Sequence, residues 1–255
     1  MSSPFLKGTL MRFNTQLLLA AIAGCGLAAQ APAQVVYTNN FESGATGPGF
    51  FCPSATLIVS STPGGSHGVT KYLGPHSQGR LTLNLGQRPA GRYRFTVDLF
   101  IILTWDGNSS NGPDKVWMQI NGSTILYSTF ACTCGSSQQS YPANLAPFGG
   151  GGQYPAGTGA IETNTLGYAT ALGPADATYR IVHDWDHPGG ELTFECHGMP
   201  NQNINDEAWG LDNIALELLT PAESCYANCD HSSGTPTLNV ADFICFLNKY
   251  AAGCP

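Results

Sequence analysis

Residues 115–130 read KVWMQINGSTILYSTF, and this stretch decides the fold class. Asn121-Gly122 separates two short runs that are rich in β-branched and aromatic residues. Because Asn and Gly tolerate the positive φ angles of a type I′ turn, the dipeptide predicts a two-residue hairpin. The sequence therefore predicts paired antiparallel strands at Lys115–Ile120 and Thr124–Phe130.

Similar runs continue on both sides of this hairpin, separated by Gly, Pro, Asn and Ser. The other predicted strands are Val35–Thr38, Thr56–Ser60, Leu81–Leu85, Arg92–Leu103, Tyr179–His183, Glu191–Cys196 and Trp209–Leu219. Pro188-Gly189-Gly190 predicts a second hairpin. Since no helical period separates these runs, about nine or ten strands predict an all-β protein, a sandwich of the jelly-roll or lectin-like type.

The first 33 residues have the pattern of an export signal peptide. A basic segment and a short apolar run precede Ala31-Pro32-Ala33, which has the small residues of a cleavage site. Ile22-Ala23-Gly24-Cys25 resembles a lipobox, and cleavage there would anchor the chain through a lipid on Cys25. The sequence favours ordinary cleavage near Ala33 over cleavage at the lipobox. It therefore predicts a secreted or cell-surface protein.

The composition suits an exported β-domain with an acidic surface. Charged residues make up only 11% of the chain, which carries 31 Gly and 17 Pro and a net charge of −7. Removing residues 1–33 takes away two basic residues and no acidic one, so the net charge falls to −9. Such a surface argues against nucleic acid and anionic membranes as partners and is compatible with calcium.

The cysteines divide the chain into two units. Besides Cys25 there are eight, and they are Cys52, Cys132, Cys134 and Cys196 in the body and Cys225, Cys229, Cys245 and Cys254 near the end. An even number in an exported chain predicts disulfides. The division predicts a β-sandwich domain at 34–219, a linker at 220–224 and a small stapled module at 225–255.

Two carboxylates are expected to meet at one place in the sandwich. Glu42 follows the first strand and Asp212 lies in the last, and such strands often lie side by side. Carboxylate oxygens are ligands that Ca²⁺ prefers, whereas a buried pair without a cation repels. The pair therefore predicts a calcium site. The alternative is that these carboxylates only cap turns and accept backbone hydrogen bonds.

Six short motifs occur in an order that resembles secreted bacterial sandwich domains of the lectin or carbohydrate-module type. They are Phe41-Glu42, Trp105-Asp106-Gly107-Asn108, Gly112-Pro113-Asp114, Asn121-Gly122, Asn164-Thr165-Leu166-Gly167-Tyr168 and Asp206-Glu207-x-Trp209-Gly210-x-Asp212-Asn213. The resemblance covers most of the sandwich domain. It implies a structural calcium at the Glu42/Asp212 end, and glycan binding.

Trp105, Asp106 and Asp114 are candidate ligand-binding residues. A Trp ring can stack on a sugar while neighbouring polar side chains bond its hydroxyls. For Trp105, the favoured interpretation is that its ring closes the end of the core. A zinc site at His183-Asp184-Trp185-Asp186-His187 is not favoured, because two His four residues apart on a strand lie roughly 13 Å apart. A polar hairpin tip is the preferred interpretation of that segment.

Enzyme activity is the less favoured class. The sequence lacks Gly-x-Ser-x-Gly, His-Glu-x-x-His, a phosphate-binding loop and a dinucleotide fingerprint. A polysaccharide hydrolase with carboxylates in the loops near Asp106 and Asp186 stays open as an alternative, because sequence spacing does not reveal which carboxylates meet.

The last segment, residues 225–255, predicts a loop and one helix held by disulfides. A unit this short buries too little surface to fold alone, and disulfides compensate. Of the three pairings that four cysteines allow, Cys225–Cys254 and Cys229–Cys245 are favoured. An apolar helix face is predicted from Val240, Phe243, Ile244, Leu247 and Tyr250, which recur at helical spacing.

Before this helix lie Asn228-x-Asp230-x-Ser232 and Asn239-x-x-Asp242, and the segment resembles one repeat of a cysteine-bearing dockerin. The resemblance implies one Ca²⁺ bound by Asn228, Asp230, Ser232, Asn239 and Asp242, and docking to a cohesin-like or other cell-surface protein. The chain departs from the family in having one repeat, two carboxylates and an apparent insertion at Gly234-Thr235-Pro236. Alternatively, Asn239 and Asp242 form a capping box without calcium.

These features predict an exported, non-catalytic binding protein. Its sandwich would be stabilised by Ca²⁺, with a polysaccharide as the candidate ligand, and its tail would attach it to a surface or assembly partner. A secreted hydrolase and a structural envelope protein without a small ligand are the alternatives.

Overall fold

The computed structural model describes residues 33–53, 56–221, 229 and 239–251. These residues form sixteen strands and one helix. The strands are β1 Gln34–Asn39, β2 Phe50–Phe51, β3 Val59–Ser61, β4 Lys71–His76, β5 Gly79–Arg88, β6 Gly91–Leu103, β7 Lys115–Ile120, β8 Ser123–Thr129, β9 Gln138–Gln139, β10 Tyr154–Pro155, β11 Glu162–Thr163, β12 Ala169–Thr170, β13 Gly173–Pro174, β14 Asp176–His187, β15 Gly190–Met199 and β16 Glu207–Pro221. The helix is α1 Val240–Ala251.

Two antiparallel sheets form a sandwich, as predicted. The larger sheet has the order β11-β14-β6-β16-β4-β3, with β1 also paired to β16. The smaller sheet has the order β2-β5-β15-β7-β8. Their facing side chains form one core, in which Phe95 of β6 and Phe194 of β15 lie 4.4 Å apart by ring centroids. The first and last strands are neighbours, which brings the segment after β1 beside β16.

The Asn121-Gly122 hairpin is confirmed. Both residues have positive φ, 47° and 78°, as a type I′ turn requires. The ladder of β7 and β8 contains one irregularity, because Met118 pairs with Leu126 while Gln119 pairs with Thr124, which leaves Ile125 as an extra residue. This bulge shifts the register and brings Tyr127 opposite Trp117.

The second predicted hairpin, at Pro188-Gly189-Gly190, is wrong. Strand β14 pairs with β6 and β11, whereas β15 pairs with β5 and β7, so this turn connects one sheet to the other. Residues 183–187 belong to β14 rather than to a hairpin tip. Strand β4 was not predicted, because its Gly74-Pro75 reads as a strand breaker in sequence.

The structure shows how three of the four cysteines of the body are used. Cys132 and Cys134 form a disulfide with each other, and Cys196 is a buried thiol within the core. Burial there raises the pKa of the Cys196 thiol, which keeps it protonated. In the tail a disulfide joins Cys229 to Cys245, one of the two pairs favoured from sequence. The other pair, Cys225 and Cys254, lies outside the described residues, as does the lipobox cysteine.

Helix α1 begins with a reciprocal cap. The backbone N–H of Asn239 donates to Asp242 Oδ2 at 2.8 Å, and the N–H of Ala241 donates to Asn239 Oδ1 at 2.7 Å. Five large apolar side chains of this helix are exposed, namely Val240, Phe243, Ile244, Leu247 and Tyr250. In the part of the chain described here, no helix is both long and apolar enough to cross a bilayer.

Candidate functional site

The outer face of the smaller sheet carries an aromatic row. Side chains alternate along β7, so Val116, Met118 and Ile120 enter the core while Trp117 points away from it. The strand register places Tyr127, Trp117, His197 and Arg80 opposite one another across four neighbouring strands. At the usual spacing of strands, this row is about 14 Å long.

Phe148 extends the aromatic surface from the long loop after β8. Its ring centroid lies 6.2 Å from that of Trp117 and 5.9 Å from that of Tyr127, and 47% of the residue is exposed. The loop is tied to β8, because Asn144 Oδ1 accepts the N–H of Tyr127 and the N–H of Leu145 donates to the Tyr127 carbonyl. The three rings are therefore held in fixed relative positions.

Polar groups surround these rings. The indole N–H of Trp117 donates to Thr124 Oγ1 at 2.8 Å, which fixes the ring. At the other end of the row, Arg80 pairs with Glu195 at 2.5 Å. Burial and the charge of Arg80 lower the pKa of His197, so its ring is neutral near pH 7 and can both donate and accept. Such a face can stack on a flat ring and bond its hydroxyl groups.

A pocket of about 400 Å³ opens beside Arg80. Its lining includes Pro75, His76, Ile204 and Trp209. The centroid of the His76 ring lies 4.9 Å from that of Trp209, and no described residue hydrogen-bonds to its Nε2 atom. Burial lowers the pKa of His76 to about 4, so the pocket carries a neutral imidazole. It is large enough for one small ring at the end of the aromatic row.

Three carboxylates converge at one end of the sandwich. Asp106 follows β6, Asp114 precedes β7 and Glu207 opens β16, and their oxygens lie within 4.8 Å of one another. Asp114 and Glu207 are completely buried, whereas Asp106 is half-buried. The loop between the first two is held tightly at Gly107, where φ is 60° and a Cβ would lie 2.2 Å from the Gln138 carbonyl oxygen.

Backbone donors satisfy part of this acidic cluster. Asp114 accepts the N–H of Asp106 at 2.5 Å and that of Asn201 at 3.1 Å, and Glu207 Oε2 accepts the N–H of Gln202 at 2.9 Å. The other oxygen, Glu207 Oε1, is buried and accepts no hydrogen bond from the described residues. Burial and the charge of Asp114 raise the pKa of Glu207 to about 8.

The second acidic site lies near the middle of β16, where Glu42 and Asp212 approach each other as expected. Thr70 contacts both carboxylates, and its hydroxyl donates to Glu42 Oε1 at 2.6 Å. Burial raises the pKa of Asp212 to about 7, with further contributions from Asp98 and Glu42. Asp98 itself has a cationic partner, since Arg180 donates to both of its oxygens at 2.8 Å.

Burial contradicts two of the predicted ligand contacts. Trp105 is 1% exposed and its indole N–H donates to the Ala208 carbonyl at 2.8 Å, so it closes the core and does not stack on a ligand. Asp114 is equally inaccessible to a glycan, while Asp106 is half-buried beside it. The loops of Asp106 and Asp186 lie at opposite ends of β6, because Asp186 pairs with Arg92 at the start of that strand. Their separation, roughly 35 Å, excludes them as a hydrolytic pair.

Of the predicted tail ligands, Asn239 and Asp242 form the helix cap, and Asn228, Asp230 and Ser232 lie outside the described residues. The aromatic row and Glu207 were missed from sequence. Alternation along the predicted strand could have indicated that Trp117 points outward. Its neighbours on the face, Tyr127 and His197, depend on the bulge and on strand order. Glu207 was seen within its motif without a partner being assigned.

Comparisons with known proteins give distant structural similarity. No family model and no curated protein matches the chain. Similar solved structures include the CBM22-1 xylan-binding domain of Paenibacillus barcinonensis Xyn10C, with TM-score 0.37, 13% identity and coverage of 76% of this chain and 100% of that one. A Clostridium thermocellum family 35 carbohydrate binding module has TM-score 0.33, 10% identity and coverage of 73% and 98%.

A third similar structure is the carbohydrate binding module CBM6cm-2 of Cellvibrio mixtus lichenase 5A, in complex with cellotriose. It has TM-score 0.29, 15% identity and coverage of 72% of this chain and 97% of that one. Similarity at this distance does not assign a ligand, so the function proposed below is built on the side chains of this chain.

Proposed function

We propose that this protein is an exported, non-catalytic carbohydrate-binding protein whose ligand face is the outer surface of the smaller sheet. The observation that carries the proposal is the row of Tyr127, Trp117, His197 and Arg80, extended by Phe148. Sugar rings have apolar faces and polar edges, and they bind to aromatic rings that are flanked by hydrogen-bonding groups. An extended polysaccharide fits a row of this length better than a compact ligand does.

Three features of the face support a glycan over a protein partner. The three aromatic rings form one small cluster, and the polar side chains of Thr124, His197 and Arg80 border it. The rings are fixed before binding, which lowers the entropic cost of association. The pocket beside Arg80 ends the row and offers room for a terminal sugar or a branch.

The proposal includes a structural Ca²⁺ at Glu42 and Asp212. Asp212 is buried beside Asp98, which pairs with Arg180, and Glu42, whose pKa is lowered by bonds from Thr70 and Lys71, whereas among the described residues no cationic side chain acts on Asp212. A cation there would balance the remaining charge and hold β1 to β16. The tail is proposed as the attachment device, because α1 exposes an apolar stripe that includes Phe243, 60% exposed, and Leu247, 45% exposed. Its partner would be a cohesin-like or other cell-surface protein.

The test of glycan binding is a polysaccharide array probed with the full chain and with Trp117→Ala. We expect the wild type to bind at least one glycan, and the variant to bind it at least about tenfold more weakly, which corresponds to ~1.4 kcal/mol. Tyr250→Ala is the matched control, because it removes an exposed aromatic ring from α1, away from the aromatic row. It should bind like the wild type.

Three results would contradict the proposal. If Trp117→Ala folds normally by circular dichroism and retains full binding, the aromatic row is not the ligand face. If the wild type releases reducing sugar from the glycan that it binds, the protein is a hydrolase. Absence of binding across the array, together with retention in the cell envelope, would favour a structural envelope protein.

A further inference from the structure

The acidic cluster of Asp106, Asp114 and Glu207 is assembled from segments far apart in sequence. Glu207 pairs with Leu103 at the end of β6, and the bridge between Asp106 and Ala131 holds the loop that follows. Asn201 connects the same loops, because its N–H donates to Asp114 and its side-chain amide donates to the Asn111 carbonyl. The backbone therefore holds three carboxylates at fixed positions facing one another.

An unpartnered oxygen points to a missing ligand. Glu207 is 0% exposed, and among the described residues no donor reaches its Oε1 atom, whose side-chain neighbour is the Asp114 carboxylate. A buried carboxylate oxygen without a partner is costly, and such groups are rare in folded proteins. The other carboxylates of the cluster cannot supply a donor when they are ionised. A bound cation satisfies this oxygen and the neighbouring carboxylates together.

The charges near the cluster are all of one sign. Those that act on the Asp106, Asp114 and Glu207 carboxylates, among the residues described, belong to one another and to Asp206. Lys115 is adjacent in sequence, but its ammonium group lies 6.0 Å from the centre of the Tyr127 ring, on the outer face of the sheet. Coulombic repulsion within the cluster is therefore not balanced by a lysine or arginine.

We propose that Asp106, Asp114 and Glu207 bind a Ca²⁺ ion, at a site distinct from Glu42 and Asp212. Asp212 pairs with Asp98, and Glu207 pairs with Leu103, so the two sites are separated by roughly 17 Å along β6. Ca²⁺ suits the cluster better than Mg²⁺, because two of the carboxylates are completely buried and leave little room for the water shell that Mg²⁺ retains. Because Asp106 is only half-buried, the ion can reach the cluster from solvent past this side chain.

The first test uses luminescence of Tb³⁺, which replaces Ca²⁺ at oxygen sites and is sensitised by a nearby Trp. Trp105 precedes Asp106 and its indole bonds to the carbonyl of Ala208, next to Glu207. We expect the full chain to give Trp-sensitised Tb³⁺ emission that Ca²⁺ displaces and that a large excess of Mg²⁺ does not. Glu207→Gln should weaken Ca²⁺ displacement at least about tenfold. Trp105→Phe should dim the emission without changing the Ca²⁺ affinity.

The second test is thermal unfolding with Ca²⁺ and with chelator. At a Ca²⁺ concentration about 100-fold above the dissociation constant, the melting temperature of the wild type should rise by about 5 to 10 °C. Glu207→Gln should melt above the wild type in chelator, because it removes repulsion, and should gain less from Ca²⁺. If Glu207 has only a structural role, Glu207→Gln should shift the melting temperature in the same direction with Ca²⁺ and with chelator.

The controls separate this site from others. Asp212→Asn should leave the Trp105-dependent emission intact, and Asp186→Asn, at an exposed ion pair, should behave like the wild type. If Glu207→Gln does not fold, Asp106→Asn is the replacement variant, because Asp106 is half-buried. It should also lose Ca²⁺ affinity. The proposal is overturned if the wild type gives no displaceable emission, or if Asp106→Asn and Glu207→Gln retain wild-type Ca²⁺ affinity. Glycan binding plays no part in either readout.

Discussion

Two buried carboxylate sites in this sandwich are built in opposite ways. Asp176 is 2% exposed and accepts four backbone N–H groups, from Thr165 at 2.8 Å, Leu166 at 3.1 Å, Gly167 at 3.2 Å and Tyr168 at 3.1 Å. In the acidic cluster, Glu207 accepts one backbone N–H and faces another carboxylate.

The difference shows what a buried charge does in each place. Converging N–H dipoles stabilise the charge of Asp176, so that carboxylate organises its loop without help from another molecule. The acidic cluster has fewer donors than acceptors, so its charge is balanced only by protons or by a cation. Burial alone therefore does not distinguish a structural carboxylate from a ligand site, whereas the count of donors does.

The largest effect should come from removing the satisfied carboxylate. Asp176→Ala leaves four backbone N–H groups without their acceptor, one of them buried and three part-buried, and we expect a loss of about 4 kcal/mol in the free energy of unfolding. Urea denaturation measures it. Asp186→Ala is the control, because that side chain is 82% exposed and its loss should change stability by less than about 0.5 kcal/mol. Equal effects of the two substitutions would refute the structural role of Asp176.

The pocket offers a third way to bury an ionisable group, by keeping it neutral. The folded pKa of His76, about 4, lies below its ordinary value of 6.5, so the unfolded chain takes up the proton first. Stability should fall as the pH drops from about 6.5 to about 4, by roughly 3 kcal/mol in total. His76→Phe keeps an aromatic ring on Trp209 without a titrating group. Unfolding curves across this range should show a smaller acid loss for the variant, and parallel profiles would contradict the prediction.

A pair of nearly isosteric substitutions should give effects of opposite sign in chelator at pH 7. Asp176→Asn turns an amide N–H toward existing donors and should lower the free energy of unfolding by about 1 to 2 kcal/mol. Glu207→Gln removes the cost of protonating a carboxyl whose pKa is raised to about 8, and it should raise the free energy of unfolding by about 1 kcal/mol. Denaturation midpoints measure both. Loss of stability in both variants would mean that the Glu207 carboxylate is already satisfied without a cation.

Local signals predicted the fold well where neighbouring residues decide the structure. Asn121-Gly122 specified its turn because few residue pairs adopt two positive φ angles. The connection after His187 was misassigned, because a Pro-Gly-Gly turn has the same sequence whether it joins paired strands or two sheets. Strand β4 was missed because a strand at Gly74-Pro75 depends on its tertiary partners.

The candidate sites were likewise predictable only in part. Proximity of Glu42 and Asp212 followed from pairing the first and last strands, and β1 does pair with β16. Trp105 was a candidate ligand contact, but the core interpretation was favoured from sequence, and the structure confirms it. Tyr127 lies opposite Trp117 because of a bulge at Ile125, and no residue pattern predicted this bulge.

The sequence by itself determined the all-β class, the main hairpin, the residue types available to bind a cation or a glycan, and the capped helix of the tail. These features depend on backbone preferences and on periods of a few residues, which are set by residues close together in the chain. Only the tertiary structure decided that Asp106, Asp114 and Glu207 share one cluster and that Trp117 and His197 share one face. Strand order and register set those contacts, because they join residues that are far apart along the chain.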